Sequence, residues 1–143
     1  MGVKQISIFL ENKPGRLAEV TEILTEAGIN MRALTLADTA DFGVLRIIVN
    51  DNRRCMEVLQ QNDYIAQETD VIAVEIPDRP GGLHDVLVLL DRSHVNIEYM
   101  YVFVEKKVDN AIVIFRVDEQ ERAQQVLEGE DIRVLTHREI TSL

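Results

Sequence analysis

The fold of this chain is decided by the segment Glu11-Asn12-Lys13-Pro14-Gly15-Arg16-Leu17, which returns later as Arg79-Pro80-Gly81-Gly82-Leu83. The two Pro-Gly pairs stand 66 residues apart, and Ile29-Asn30-Met31 returns as Val95-Asn96-Ile97 at the same offset. Repetition at one offset indicates a duplicated structural unit. The offset grows by two residues further on, and we expect the insertion in a hairpin turn around positions 106–110.

Each repeat has the same order of periodic patterns. An alternating strand (Ile6, Ile8, Leu10) precedes the Pro-Gly turn, and an amphipathic helix follows it. Gly28 and His94 take the helix-end position. We then expect strands near 30–37, 43–49, 96–104 and 111–117. A second helix should open at the N-cap residues Asp51 and Asp118, before final strands near 64–69 and 131–137.

The predicted fold class is therefore α+β, with two ferredoxin-like βαββαβ repeats, antiparallel sheets and helices on one face. The predicted domains are 1–69 and 70–143. A repeat of about 70 residues buries little core alone, and almost no linker separates the two. We therefore expect the copies to dock as one body.

Composition limits the function. The chain has 143 residues and a net charge of −10, which disfavours nucleic acid as a partner. It lacks the long apolar run of a membrane span, and its start does not resemble a signal peptide. One cysteine allows no internal disulfide and no cysteine-based metal site. We expect a cytoplasmic protein.

Both faces of the second sheet carry apolar residues. Tyr99, Tyr101 and Phe103 alternate with Met100 and Val102 along one predicted strand. The helices cover one face, so a second chain covering the other predicts a homodimer. The alternative is that the aromatic residues of one repeat cover the other repeat within one chain.

The order of strand, Glu-Asn-Lys-Pro-Gly-Arg-Leu, helix, Gly-Ile-Asn and strand resembles the ACT domain family, over nearly the whole chain. These are small regulatory modules that bind amino acids. The resemblance is to free-standing tandem pairs, since the chain has no room for an additional enzyme domain. It implies a ligand between modules, with asparagines at the positions of Asn12 and Asn30.

Physical chemistry independently supports a ligand at this turn. A helix N-terminus offers unpaired N–H groups and partial positive charge to a carboxylate. Gly15 permits close approach, and the Asn12 amide can bind a carboxylate or an ammonium group. We expect Asn30, at the start of the next strand, to present a second amide there. The alternative is an ordinary loop, with Arg16 in solvent.

The two sites are expected to differ, because Asp78 replaces Asn12 and an ionised aspartate repels a carboxylate. An empty second site is therefore one of the expected outcomes. The predicted ligand-binding residues of both sites are Asn12, Pro14, Gly15, Arg16, Leu17, Ile29, Asn30, Asp78, Gly81, Gly82, Leu83 and Asn96.

No constellation in the sequence indicates catalysis. His84 and His94 are not spaced as metal ligands on one helix face, and Cys55 has no evident base. No nucleotide-binding loop is present, so no cofactor is expected. The sequence predicts an amino-acid-binding regulatory protein that takes a free amino acid as ligand and forms a homodimer, with a metabolic enzyme as a candidate partner. The alternative is a ligand-independent regulatory subunit of a biosynthetic enzyme.

Overall fold

The computed structural model describes residues 2–38, 41–104 and 110–143, with side-chain detail beginning and ending slightly inside these ranges. The chain forms two compact units, Lys4–Thr69 and Asp70–Leu143, and the second also takes in Gly2 and Val3. The predicted hairpin turn around 106–110 lies almost wholly outside the described residues. No helix in the described part of the chain is long and apolar enough to cross a membrane.

The first unit has the expected βαββαβ order. Its elements are β1 (Val3–Glu11), α1 (Arg16–Glu26), β2 (Met31–Asp38), β3 (Phe42–Val49), α2 (Asn52–Gln61) and the first part of β4 (Ile65–Pro77). The strand order is β2-β3-β1-β4, which leaves β2 at the edge. The helices cover the face that carries Ile6, Ile8 and Leu10, as the alternation predicts.

The second unit repeats this order from the rest of β4. It continues with α3 (Gly82–Arg92), β5 (Ile97–Val104), β6 (Asn110–Val117), α4 (Gln120–Gly129), β7 (Val134–Leu135) and α5 (His137–Thr141). The long strand β4 lies between β7 and β6, and β5 is at the edge. The predicted fold class of two βαββαβ repeats is confirmed.

The first four helices end in the same way. Gly28, Asp63, His94 and Asp131 adopt positive φ angles between 58° and 74° directly after the helices. The N–H of the following residue donates to a carbonyl five positions back, as in Ile29 to Leu24 and Val95 to Leu90. This is the Schellman pattern, which satisfies carbonyls at the helix end. The expectation that His94 takes the place of Gly28 is confirmed.

Two expectations about element ends are wrong. The predicted strand 131–137 shrinks to Val134–Leu135, because Thr136 and Glu139 form a capping box that starts α5. Asp118 does not cap α4, since its carboxylate accepts the Asn96 N–H at 2.9 Å and Glu119 takes the cap position. Asp51 does cap α2, accepting from the Arg54 N–H.

The homodimer expected from the two apolar sheet faces stays a prediction. Ile112 and Ile114, which alternate with the helix-facing Val113, are buried. The exposed large apolar side chains lie elsewhere, mainly in the first unit, and include Leu34 and Leu36 on the edge strand β2.

We predict that Gly82→Ala destabilises the protein. A Cβ atom at Gly82 would stand 2.3 Å from the Pro77 carbonyl oxygen, so the turn must open. Overpacking of this kind costs about 1–3 kcal/mol, measurable by urea unfolding. Gly129→Ala is the control, because its Cβ meets nothing within 4 Å and the change should stay within about 0.5 kcal/mol. Equal stability of both variants would contradict the close approach.

We also predict that Cys55 is unreactive in the folded protein. Its side chain is buried, and this burial raises the pKa of the thiol to about 12. At pH 8 the thiolate fraction is then roughly a thousandfold below that of the unfolded chain, and the thiolate is the reactive form. Labelling with DTNB should be slow in buffer and rapid in urea. Similar rates in both would show that the α2 contact with the sheet opens readily.

Candidate functional site

The first strand-to-helix turn, called the first elbow (residues 11–18), depends on Gly15. Gly15 has φ 85°, a left-handed conformation that a residue without Cβ adopts at little cost. It places Arg16 at the first position of α1, where the Arg16 N–H donates to the Lys13 carbonyl at 3.3 Å. The chain therefore reverses from strand to helix within four residues.

The first elbow leaves helix donors unpaired. Glu19 donates to the Gly15 carbonyl at 3.0 Å, but no side chain caps α1. The N–H groups of Leu17 and Ala18 consequently have no acceptor among the residues that the structure describes. Together with the helix dipole, such donors attract an anion.

A cavity of about 100 Å³, called the elbow cavity, opens beside this turn. Three of the predicted ligand-binding residues, Asn12, Arg16 and Leu17, meet there with their chain neighbours, and β2 and β3 each contribute one further residue. The lining residues are Leu10, Glu11, Asn12, Lys13, Arg16, Leu17, Leu36 and Gly43. Pro14 and Gly15 form the turn itself and are exposed.

Charged groups surround the elbow cavity. Lys13 Nζ lies 2.8 Å from Glu11 Oε2, and Arg16 lies 4.0 Å from the other oxygen of Glu11. The hydrogen bond from Lys13, followed by the charges of Lys13 and Arg16, lowers the pKa of Glu11. Glu11 is therefore ionised at neutral pH. The site offers N–H donors and a guanidinium to a carboxylate, and a carboxylate to an ammonium group.

Asn30 does not lie at the first elbow of its own unit. Met31 pairs with Val49 at one end of β2, whereas Asp38 pairs with Gly43 at the other end. Gly43 in turn pairs with Leu10, beside the elbow. Seven residue steps along the strand separate the two ends by roughly 23 Å. The expectation that both amides meet within one unit is wrong, because the strand register places them at opposite ends of the sheet.

The Asn30 backbone, just before β2, is hydrogen-bonded to Asn50, just after β3. Its N–H donates to Asn50 Oδ1 at 3.0 Å, and its carbonyl accepts the Asn50 N–H at 3.3 Å. Ile29, also a predicted site residue, is buried in the core of the first unit. Asn96 repeats the Asn30 arrangement with Asp118.

The second elbow (residues 77–84) has the same backbone but a different wall. Gly81 has φ 89°, and the N–H groups of Leu83 and His84 find no acceptor in the described ranges. Gly82 is buried against the Pro77 carbonyl, where the first elbow has the Arg16 side chain. Asp78 is exposed, and Leu83 packs against the core of the second unit. Within the described residues, no group of His, Cys, Asp or Glu could hold a metal.

A larger cavity, called the second cavity, was not anticipated from the sequence. It has a volume of about 370 Å³ and lies between β1, the first turn of α1 and the turn from α2 into β4. It is lined by Phe9, Leu10, Glu11, Arg16, Glu19, Phe42, Asn62, Asp63, Tyr64 and Ile65. A comparison of the two repeats could have indicated this cavity. Phe9 and Ile65 are apolar, whereas the matching positions of the second repeat are the charged residues Glu75 and Arg133.

The polar wall of the second cavity is a chain of bonded side chains. The Tyr64 hydroxyl donates to Glu19 Oε1 at 2.6 Å, and Arg16 lies 3.6 Å from the other Glu19 oxygen. Burial and the bond to Glu19 raise the pKa of Tyr64 to about 12. Tyr64 therefore keeps its proton and remains a donor at neutral pH. Arg16, which also lines the elbow cavity, stands between the two cavities.

Comparison with known proteins places the chain in a family. A family model described as "ACT domain pair" matches residues 1–143. A solved structure, protein BT0572 from Bacteroides thetaiotaomicron, is 40% identical, with 100% of this chain and 98% of that chain covered and a TM-score of 0.94. A search of curated proteins finds no significant match.

Two further structures share the fold at lower identity. The regulatory subunit of aspartate kinase from Thermus thermophilus is 18% identical, with a TM-score of 0.67 over 90% of this chain and 93% of that chain. The corresponding subunit from Thermus flavus is 17% identical, with a TM-score of 0.64 over 90% and 92%. The match over the whole chain, the repeated βαββαβ order and the two glycine elbows agree, and the chain belongs to the ACT domain pair family.

Proposed function

We propose that this protein is a regulator that binds a small free amino acid in the elbow cavity, between two copies of the chain. The single observation that carries the proposal is a cavity at the helix end where Leu17 and Ala18 have unpaired N–H groups. Arg16 and Glu11 supply opposite charges at the same place. A zwitterion is the ligand class that satisfies both.

The volume of the elbow cavity supports a small ligand. Its volume is about 100 Å³, well below the roughly 300–1,000 Å³ of sites for drug-sized ligands. The carboxylate would accept from the helix N-terminus and from Arg16, and the ammonium group would face Glu11. Asn12 can hydrogen-bond either group. The free amino acids of the cytoplasm are the pool that such a site would sample.

A second copy would complete the site through the edge strand β2. Leu34 and Leu36 pair with the core residues Ile47 and Leu45, so they face the helix side, yet they are 57% and 47% exposed. An exposed edge strand with apolar side chains favours pairing with another strand. This observation supports the homodimer.

Two-fold symmetry would bring the two asparagines together. If β2 pairs antiparallel with β2 of a second copy about its centre, residue 31 stands opposite residue 38. Asn30 of the partner subunit would then lie at the elbow end of the strand, beside Leu36 and Gly43. The strand register that separates Asn12 from Asn30 within one unit thus favours a shared site between two chains.

The second elbow would bind more weakly or remain empty. Gly82 supplies no guanidinium in place of Arg16, and Asp78 stands where Asn12 does. An anion would find the free Leu83 and His84 N–H groups there, but also the negative charge of Asp78. Asp78, Gly81, Gly82, Leu83 and Asn96 therefore stay a prediction for a second site.

Regulation would follow from preferential binding. A ligand that contacts two chains stabilises the paired arrangement only, and the population shifts toward it. A partner protein, for which we propose a metabolic enzyme, would then recognise one arrangement. A ligand with equal affinity for both arrangements would regulate nothing, however tightly it bound.

A thermal-shift screen of the twenty amino acids tests the ligand. At a hundredfold excess over Kd, binding adds about 2.7 kcal/mol of stability. We expect a shift of several degrees for a small amino acid, and its loss in Asn12→Ala. Gln125→Ala, which removes an exposed amide on α4 outside both predicted sites, is the control and should keep the shift. No shift with any amino acid would favour the ligand-independent regulatory subunit.

Mixing two variants tests whether the site is shared. Asn12→Ala and Asn30→Ala should each lose binding, since every site in either homodimer lacks one amide. In a mixed dimer one site takes Asn12 from one chain and Asn30 from the other, so half of the sites are restored. Titration calorimetry of the mixture against the separate variants measures this.

The mixing experiment has its own control and refutation. Leu34→Asp and Leu36→Asp should give monomers by sedimentation equilibrium, whereas Val102→Asp on the other edge strand, β5, should not. A mixture that binds no better than its components, while remaining dimeric, would contradict a shared site.

A further inference from the structure

The second cavity has an apolar rim that folding does not require. Its rim residues Phe9, Phe42 and Ile65 are 40%, 56% and 72% exposed. Phe9 pairs with Val44 and Phe42 with Glu11, so the two rings are diagonal neighbours on adjacent strands. Three large apolar side chains in contact with water at one cavity form a surface suited to a ligand.

The second repeat has the same fold but carries charged residues in place of two of the rim residues. Glu75 and Arg133 occupy the positions of Phe9 and Ile65, and Arg133 Nη1 lies 3.4 Å from Glu75 Oε2. Arg133 also pairs with Glu139. An ion pair is thus compatible with these strand positions. The apolar residues of the first repeat are therefore better explained by binding than by folding.

The wall opposite the rim is negatively charged. Glu11, Glu19 and Asp63 line the cavity against a single guanidinium, that of Arg16. Tyr64 and Arg16 fix the Glu19 carboxylate, whereas the Asp63 carboxylate makes no hydrogen bond or ion pair with any residue that the structure describes. Asp63 is held on the wall by its left-handed backbone, φ 63°, at the end of α2.

We propose that the second cavity is a binding site for an organic cation with an apolar body, an amine or a guanidine. The cationic group pairs with Asp63 and Glu19, and the body lies against the rim of Phe9, Phe42 and Ile65. Aromatic side chains are favourable neighbours for such cations. An anionic ligand of the same shape meets an excess of carboxylates and is rejected. The volume of about 370 Å³ lies in the range of small-molecule sites.

The proposal for the second cavity does not rest on the amino-acid site proposed above, and the probes are chosen to separate the two. Phenethylamine, 2-phenylethanol and 3-phenylpropionate share an aromatic body and differ in charge. Phenethylamine has no carboxylate for the first elbow. Titration calorimetry should show saturable binding of the amine, with the alcohol and the acid each at least tenfold weaker. Equal binding of the three, or none, would overturn the proposal.

Matched variants place the binding in the second cavity. Asp63→Asn removes the charge but keeps a residue that tolerates positive φ, and it should weaken the amine at least tenfold. Phe9→Glu combined with Ile65→Arg copies the ion pair of the second repeat, so it should fold and abolish binding. Asn12→Ala should leave amine binding unchanged. Binding that survives both cavity variants, or that is lost in Asn12→Ala, would refute the assignment.

Discussion

The left-handed glycine at the end of the first strand is the constraint on which the rest of the structure depends. Gly15 and Gly81 turn an extended strand into a helix within four residues, with φ angles of 85° and 89°. Among the described residues no side chain caps either helix, so the turn leaves N–H groups without an acceptor there while still laying the helix on the sheet. One backbone conformation thus provides both the packing of the fold and its anion-attracting ends.

The two repeats use this constraint for different purposes. In the first, Arg16 follows the glycine, and its side chain separates two cavities. In the second, Gly82 follows, and its backbone closes against Pro77. The same difference appears on the neighbouring strands. The first repeat has Phe9 and Ile65 at the two positions where the second repeat has the ion pair of Glu75 and Arg133. The first unit therefore carries the two cavities on which the proposals rest, whereas the second has an ion pair at the corresponding positions.

The fold could be predicted from local sequence patterns, whereas the arrangement of the candidate site depends on the register of paired strands. The repeat, the core alternation of Ile6, Ile8 and Leu10 and the cap at His94 follow from spacing and backbone preference, which a sequence displays directly. The separation of Asn12 from Asn30 depends on which residues pair across three strands, which no local pattern specifies. Helix α5 could have been predicted from the sequence, because Thr136 and Glu139 have the spacing of a capping box.

Arg16 links the two proposed ligands energetically. It lies between Glu11 and Glu19, and its positive charge offsets the carboxylates of both cavities. A ligand carboxylate in the elbow cavity would draw the guanidinium away from Glu19, leaving the second cavity more negative and more attractive to a cation. The reverse must hold to the same extent, because coupling between two binding equilibria is reciprocal. A module with both sites would therefore report the joint presence of an amino acid and an organic cation, rather than either alone.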